Sequence, residues 1–250
     1  MKMAEQKRTA LVTGSGKNIG RAIALHLAEA GYNIVLNGSR DRDACETVAS
    51  KVRDLGSEAM IEMCDIGDRE AVQAMAKSAL GKFGTVDVLV NNAAMRPSGN
   101  FLEITEEEWQ QVMDTNFYST FHLARACLPA MIANGWGRII NFTGMNAQQG
   151  SAGKAAISVS KHAAWGLTKS LSKEFGPMGI TTNIISPGTI PDENADASAA
   201  RFQALLKANP VGRLGTADDI ASMVDLLVSD QGGFINGQML QVNGGVVNQF

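Results

Sequence analysis

Residues 13–20 read Thr13-Gly14-Ser15-Gly16-Lys17-Asn18-Ile19-Gly20, three glycines in a turn between two apolar segments. Before them, residues 9–13 form a short apolar run. After them, residues 21–30 carry Ile23, Leu25 and Leu27 in a helical pattern. A strand that enters a helix through glycines suits an anionic ligand. Glycine lets the backbone approach a pyrophosphate, and the helix N-terminus offers free N–H groups and a partial positive charge. A glycine-rich turn alone is a weak signal, but its place between strand and helix makes it a strong one.

The same alternation continues outward. Strand-like runs fall at 33–36, 59–63, 86–91, 138–143, 181–186 and 238–242. Helical patterns fall at 45–55, 69–83, 106–133, 155–175 and 217–229, the long one broken near Asn116. Strands alternating with helices of ten or more residues predict βαβ units and an α/β fold. The expected architecture is a single doubly wound Rossmann-type domain over residues 1–250, with a parallel sheet of about seven strands flanked by helices. Its ligand should lie at the carboxyl ends of the strands.

Composition excludes several function classes. A chain of 250 residues, 45% apolar, can bury roughly 70–75% of its unfolded surface without a staple. A net charge of −3 gives no electrostatic case for nucleic acid or an anionic membrane. No run approaches the roughly 18 apolar residues of a membrane span, and residues 10–12 are too few for a signal sequence. Cys45, Cys64 and Cys127 are odd in number and widely spaced. They read as buried small apolar residues of a cytoplasmic protein rather than a disulfide framework, and no metal site is expected.

The glycine turn resembles the Thr-Gly-x-x-x-Gly-x-Gly fingerprint of the short-chain dehydrogenase/reductase family, with Asn18 at the middle glycine. Asn best tolerates positive φ among the other residues, so the turn is expected to survive. Further marks stand in order: Asp65-Ile66, Asn91-Asn92-Ala93-Ala94, Asn116, Lys161, Pro187-Gly188, and the closing Asn236-Gly237 and Gly244-Gly245. The resemblance covers the chain from about Thr9 onward. It implies that Gly14, Gly16, Asn18, Ile19 and Gly20 hold a pyrophosphate and that Asp65 and Ile66 meet the adenine. It further implies that Asn92 shapes the cofactor floor, Lys161 binds the nicotinamide ribose, and Pro187, Gly188 and Ile190 pass the nicotinamide. Residues 188–210 would form a lid over a small-molecule substrate, and family members usually assemble as tetramers, so a homotetramer or homodimer is expected.

NAD enzymes often end the second strand with an acid that bonds the ribose 2′-OH. Here that strand ends Leu36-Asn37-Gly38-Ser39-Arg40, with no acid until Asp41. In the family's geometry Lys17 and Arg40 lie where a 2′-phosphate would sit, so NADP(H) is favoured over NAD(H).

The family's catalytic Tyr stands four residues before the Lys, and its Ser thirteen before the Tyr. Here those positions hold Ile157 and Gly144. Acid–base catalysis contributes typically about 10²–10⁴-fold, and neither residue can supply it. Of the family's catalytic tetrad Asn116 and Lys161 remain. Tyr32 lies beside the second strand, Tyr118 should face away from Asn116, and His162 should point about 100° from Lys161. Asn146, Ser158 and Lys154 are left as substrate contacts.

Three readings follow. One is an oxidoreductase on a small carbonyl, imine or alcohol, a pre-polarised carbon needing less acid help. Another is a nucleotide-binding protein without turnover, and the third a non-redox enzyme on the same fold. Hydride transfer from a bound nucleotide, binding without transfer, and turnover without nucleotide separate them.

Overall fold

The computed structural model describes residues 7–196 and 199–248. Residues 1–6 of the charged N-terminus and residues 197–198 of the expected lid lie outside the described residues. Seven parallel strands, β1 (Thr9–Val12), β2 (Asn33–Gly38), β3 (Ala59–Met63), β4 (Val88–Asn91), β5 (Gly137–Phe142), β6 (Ile180–Pro187) and β7 (Met239–Val242), form one sheet. Their order is β3-β2-β1-β4-β5-β6-β7. The order reverses between β1 and β4, which pair over Ala10–Val12 and Val88–Val90, and the crevice above this switch point is where such sheets take ligands.

The helices are α1 (Asn18–Glu29), α2 (Arg42–Asp54), α3 (Arg69–Phe83), α4 (Glu106–Met113), α5 (Ser119–Asn134), α6 (Met145–Gln149), α7 (Ala155–Phe175), α8 (Ala200–Ala208) and α9 (Ala217–Val228). The inner strands are apolar on both faces because both are covered. Ala10, Val12, Ile34, Leu36, Val88, Val90 and Ile140 pack with α1, α2 and α9. Leu11, Val35, Leu89 and Ile139 turn the other way, toward α3, α5 and α7. Side chains alternate along each strand, so each short run feeds two cores at once.

Four of the nine described helices are capped by the side chain of the residue before them. Asp41, Asp68, Thr105 and Thr216 accept hydrogen bonds from the first turns of α2, α3, α4 and α9. This moves the start of α2 to Arg42, ahead of the expected 45, and assigns Asp41 a capping job. Helix α1 is among the others: Lys17 gives no side-chain cap, and its first turn holds no acid.

The expected break near Asn116 is a π-helical turn over Asp114–Tyr118, between α4 and α5. Two helices escape the sequence pattern. Helix α6 has five residues, too few for a period, and α8 lies inside the expected lid, anchored by buried Phe202. Of the cysteines, Cys45 and Cys127 are buried as expected, but Cys64 is only partly so and borders the crevice. No described helix is long and apolar enough to cross a membrane.

Helices α1 and α9 are also joined by charge. His26 Nδ1 lies 2.7 Å from Asp225, and Nε2 3.4 Å from Asp218. Burial pulls the His26 pKa down, but the Asp225 hydrogen bond and the charges of Asp225, Asp218 and Glu29 outweigh it, and the pKa is raised. A group with a raised folded pKa stabilises fully below its unfolded value, near 6.5, and loses that contribution as pH climbs through the folded one. Thermal melts should therefore show a drop in Tm between mildly acidic and mildly alkaline pH that is smaller in His26→Gln.

Candidate nucleotide groove and active site

The turn after β1 works only because it is bare of side chains. Gly14 has φ 64°, and a Cβ on Gly20 would stand 2.2 Å from Gly14 O. Asn18 has φ 46°, the one non-glycine residue with positive φ among those described. Around the turn, Thr13 and Asn92 interlock. Thr13 Oγ1 accepts from the Asn92 and Ala93 N–H groups, and Asn92 Nδ2 donates to Thr13 O and Gly14 O. On the other side, Asn37 Oδ1 accepts from Gly14 N at 3.3 Å, while its Nδ2 reaches Glu62 O and Cys64 O. Asn37 thus ties the glycine turn to β3, at the strand end where an acid would favour NAD(H). Thr13 opens the fingerprint and Asn37 marks the missing acid in sequence, but their bracing of the turn does not show there, because polar residues at strand ends are common.

A groove of about 770 Å³ runs from this turn across β2 and β3. Of the residues singled out in sequence, Gly14, Gly16, Lys17, Arg40, Asp65 and Ile66 line it, and Arg21 of α1 and Lys51 of α2 add two further cations. Asn18, Ile19 and Gly20 form the first turn of α1 beside it. Asn92 acts from behind, as a prop rather than a lining residue. Ile66 is buried in the core, leaving its backbone as its available contact. Asp65 Oδ1 accepts from Gly67 N, which turns the chain at the groove's edge.

The other half lies around α7. Asn116, in the π turn, is fully committed. Its Oδ1 accepts from Met95 N at 2.8 Å, and its Nδ2 donates to Met95 O and to Ser160 Oγ. It fastens the loop after β4 to α7. Lys161 follows Ser160 and lies one turn beyond Ile157, on the same helix face. It is 5% exposed, and no acceptor or carboxylate meets its Nζ among the described residues. Burial, with the nearby charge of Arg96, brings its pKa down to about 7.

The two missing hydroxyls leave space rather than a substitute. Gly144 is extended, at φ −179°, and a Cβ there would meet nothing within 4 Å. Ile157 lines a separate cavity of about 440 Å³ with residues of the 97–104 loop and of 151–156. Ser158 Oγ is buried without a partner among the described residues. Lys154 Nζ is spent on Arg96 O, Pro97 O and Ser98 Oγ. Asn146 is exposed on α6. His162 is exposed and bonds Ser158 O, and Tyr32 donates to Val228 O at the far side of the sheet. Tyr118 is 40% exposed where Asn116 is buried, so the two face apart.

Pro187 ends β6, and Gly188 passes so close to Asn243 that a Cβ would lie 2.7 Å from its Cα. Ile190 points its side chain into the core under Gly215. Beyond it, Glu193 reaches across the glycine turn, accepting from Asn18 N at 2.7 Å and pairing with Arg21 at 2.8 Å. No group of three or more metal-ligating side chains occurs among the described residues.

A parallel sheet with this order, a bare glycine turn above its switch point, and Asn116 and Lys161 beside it define a class. The chain belongs to the short-chain dehydrogenase/reductase family, a family of nicotinamide-dependent oxidoreductases. The family profile described as enoyl-(acyl carrier protein) reductase matches residues 14–247. The chain is 36% identical over 240 residues to the 3-oxoacyl-[acyl-carrier-protein] reductase FabG of Staphylococcus aureus, covering 96% of this chain and 98% of that one. A structure described as an NAD(P)-dependent gluconate 5-dehydrogenase of Beutenbergia cavernae, with NADP bound at low occupancy, superposes with a TM-score of 0.88 at 35% identity, over 96% of each chain. A blue fluorescent protein from a metagenomic library, in complex with NADPH, superposes at 0.90 with 31% identity, over 96% of this chain and 98% of that one.

An uncompensated buried ammonium destabilises the fold. Its cost is present in full below pH about 7 and fades as pH rises toward the unfolded value of 10.5. Lys161→Met should therefore raise the stability of the ligand-free protein at neutral pH by roughly 2–4 kcal/mol in denaturant titrations. The same variant should bind nucleotide more weakly.

Proposed function

We propose that the protein is an NADP(H)-dependent oxidoreductase acting on a small carbonyl, imine or alcohol, with a reduced set of catalytic groups. One observation carries the cofactor assignment: Lys17, Arg40 and Lys51 converge on one groove beside an uncapped helix start, none of them in an ion pair among the described residues. The groove fits a dinucleotide. The bare turn at Gly14 and Gly20 admits a pyrophosphate that a Cβ would block, and the first-turn N–H groups of α1 have no acceptor within the helix, Asn18 N–H meeting only the exchangeable carboxylate of Glu193. Asn37 stands at the strand end in place of an acid, so no carboxylate at that position repels a 2′-phosphate, which Lys17 and Arg40 would hold. Gly14, Gly16, Asn18, Ile19 and Gly20 would cradle the pyrophosphate, Asp65 and Ile66 the adenine, and Pro187, Gly188 and Ile190 the nicotinamide side. The NADP and NADPH found in two structural relatives support the same choice.

When bound, a nicotinamide supplies or accepts hydride. The protein's part is to hold the substrate and move the proton. Lys161 is the group that still carries a transferable proton next to the vacated Ile157 position, and its lowered pKa places the exchange near neutrality. Asn116 fixes the α7 segment that bears it. An imine or other polarised carbon demands less of this proton than a ketone, which favours such acceptors. Residues 188–210 would close over the substrate. A second reading, nucleotide binding without turnover, is favoured by the loss of both hydroxyls at 144 and 157.

Exposed Tyr118 and Val159 around α5 and α7, and Phe234, Leu226 and Met178 at the β7 end, suit burial against further copies of this chain as a homodimer or homotetramer. Sedimentation gives the mass that tests this.

Calorimetric titration should show NADPH binding at least tenfold tighter than NADH. Lys17→Ala/Arg40→Ala should lose most of that preference while leaving NADH affinity nearly unchanged. Equal binding of both nucleotides by the unaltered protein would sink the 2′-phosphate assignment. Because the space at Gly144 is open, Gly144→Ser/Ile157→Tyr should fold and raise kcat on a ketone by about 10²-fold or more. No gain in an otherwise folded, NADPH-binding double variant would favour the silent reading.

A further inference from the structure

The first turn of α1 is where a dinucleotide's phosphates would bind, yet it already holds an anion from the chain itself. Glu193, which follows β6 by six residues, places Oε1 2.7 Å from the Asn18 N–H. Both of its oxygens also face Arg21, at 2.8 and 3.0 Å, a bidentate pair. The contact is reinforced beside it, where Asn18 Nδ2 donates to Pro191 O and to Asp192 Oδ1. Glu193 and Asn194 both line the nucleotide groove, with Gly14, Gly16, Lys17 and Arg21 opposite.

The contrast with α2, α3, α4 and α9 gives this contact its meaning. Four helix starts are capped by the residue next to them in sequence, and those caps are permanent parts of the fold. Helix α1 has no such cap and takes its acceptor from a residue 175 positions away, on the segment after β6. Such a cap can leave without unfolding the helix. The pair is half-exposed, 39% on each side, so the attraction is modest and exchangeable. A pyrophosphate brings more charge and more acceptor oxygens to the same N–H groups than one carboxylate does.

We propose that Glu193 is an internal stand-in for phosphate: it latches the segment 189–196 to the glycine turn until a dinucleotide displaces it. Binding then does two things at once. It fills the groove, and it frees the first part of the expected substrate lid. Nucleotide entry comes first, and the substrate side rearranges in response. Arg21 changes partner in the exchange, from carboxylate to phosphate. The nucleotide side of this inference rests on the NADP(H) reading above; the latch itself does not.

The test uses the full chain, as wild type and as Glu193→Gln, and reads two quantities. The first is hydrogen exchange of residues 189–196 without ligand and with inorganic pyrophosphate. The second is affinity for NADPH and for pyrophosphate. Glu193→Gln should exchange faster through 189–196 than wild type and should bind both anions about three- to ten-fold more tightly, the latch no longer competing. Pyrophosphate added to wild type should quicken exchange in the same segment. Unchanged exchange in Glu193→Gln, or weaker anion binding by it, overturns the proposal. If neither protein binds NADPH or NADH, but the variant and pyrophosphate both loosen 189–196, the latch stands and the NADP(H) reading falls.

Discussion

Everything at the business end of this fold depends on one close approach, that of the chain after β1 to its own first helical turn. A Cβ on Gly20 would collide with Gly14 O, so the turn exists only with hydrogen in that place. From this tight bend follow the direction of α1, the exposure of its N–H groups and the crevice over the β1–β4 switch. The surrounding polar residues serve the bend rather than the ligand. Thr13, Asn92 and Asn37 spend their hydrogen bonds holding its carbonyls and amides, so the free donors at the groove are those of the helix start itself. A turn already held in this shape would require no rearrangement of its own to take an anion, apart from the Glu193 carboxylate that covers it.

Much of this was legible beforehand, and for physical reasons. Glycine spacing reports backbone approach directly, and Asn18 reports a left-handed residue, so the turn could be read residue by residue. The sheet was readable because buried parallel strands are short apolar runs set between amphipathic helices, and the break at Asn116 emerged as a π turn. What escaped were contacts between distant residues. Arg21 is an ordinary helix cation until Glu193 is brought to it from 172 positions away. Asn37 is an ordinary strand end until Gly14 and Cys64 flank it. Helix α8 escaped because alanine-rich turns have no strong apolar stripe, its one deep anchor being Phe202. Cys64, expected in the core, borders the groove because β3 is an edge strand with a partly open face.

The active-site side shows a division of labour between folding and chemistry. Asn116 is held by Met95 and Ser160 and earns its place structurally. A Cβ at Gly144 would meet nothing within 4 Å and the Ile157 side chain lines a cavity, so the architecture stands without a hydroxyl at either position. Lys161 is the reverse, a residue that works against stability because its charge is buried without a partner.

That last asymmetry bears on which form of the chain is the more stable one. Methionine or leucine at position 161 would fill the same space with no charge to bury, so Lys161 costs the ligand-free fold what neither of them would. A bound group that offered Lys161 an acceptor would relieve that cost, and loading and stability would then rise together.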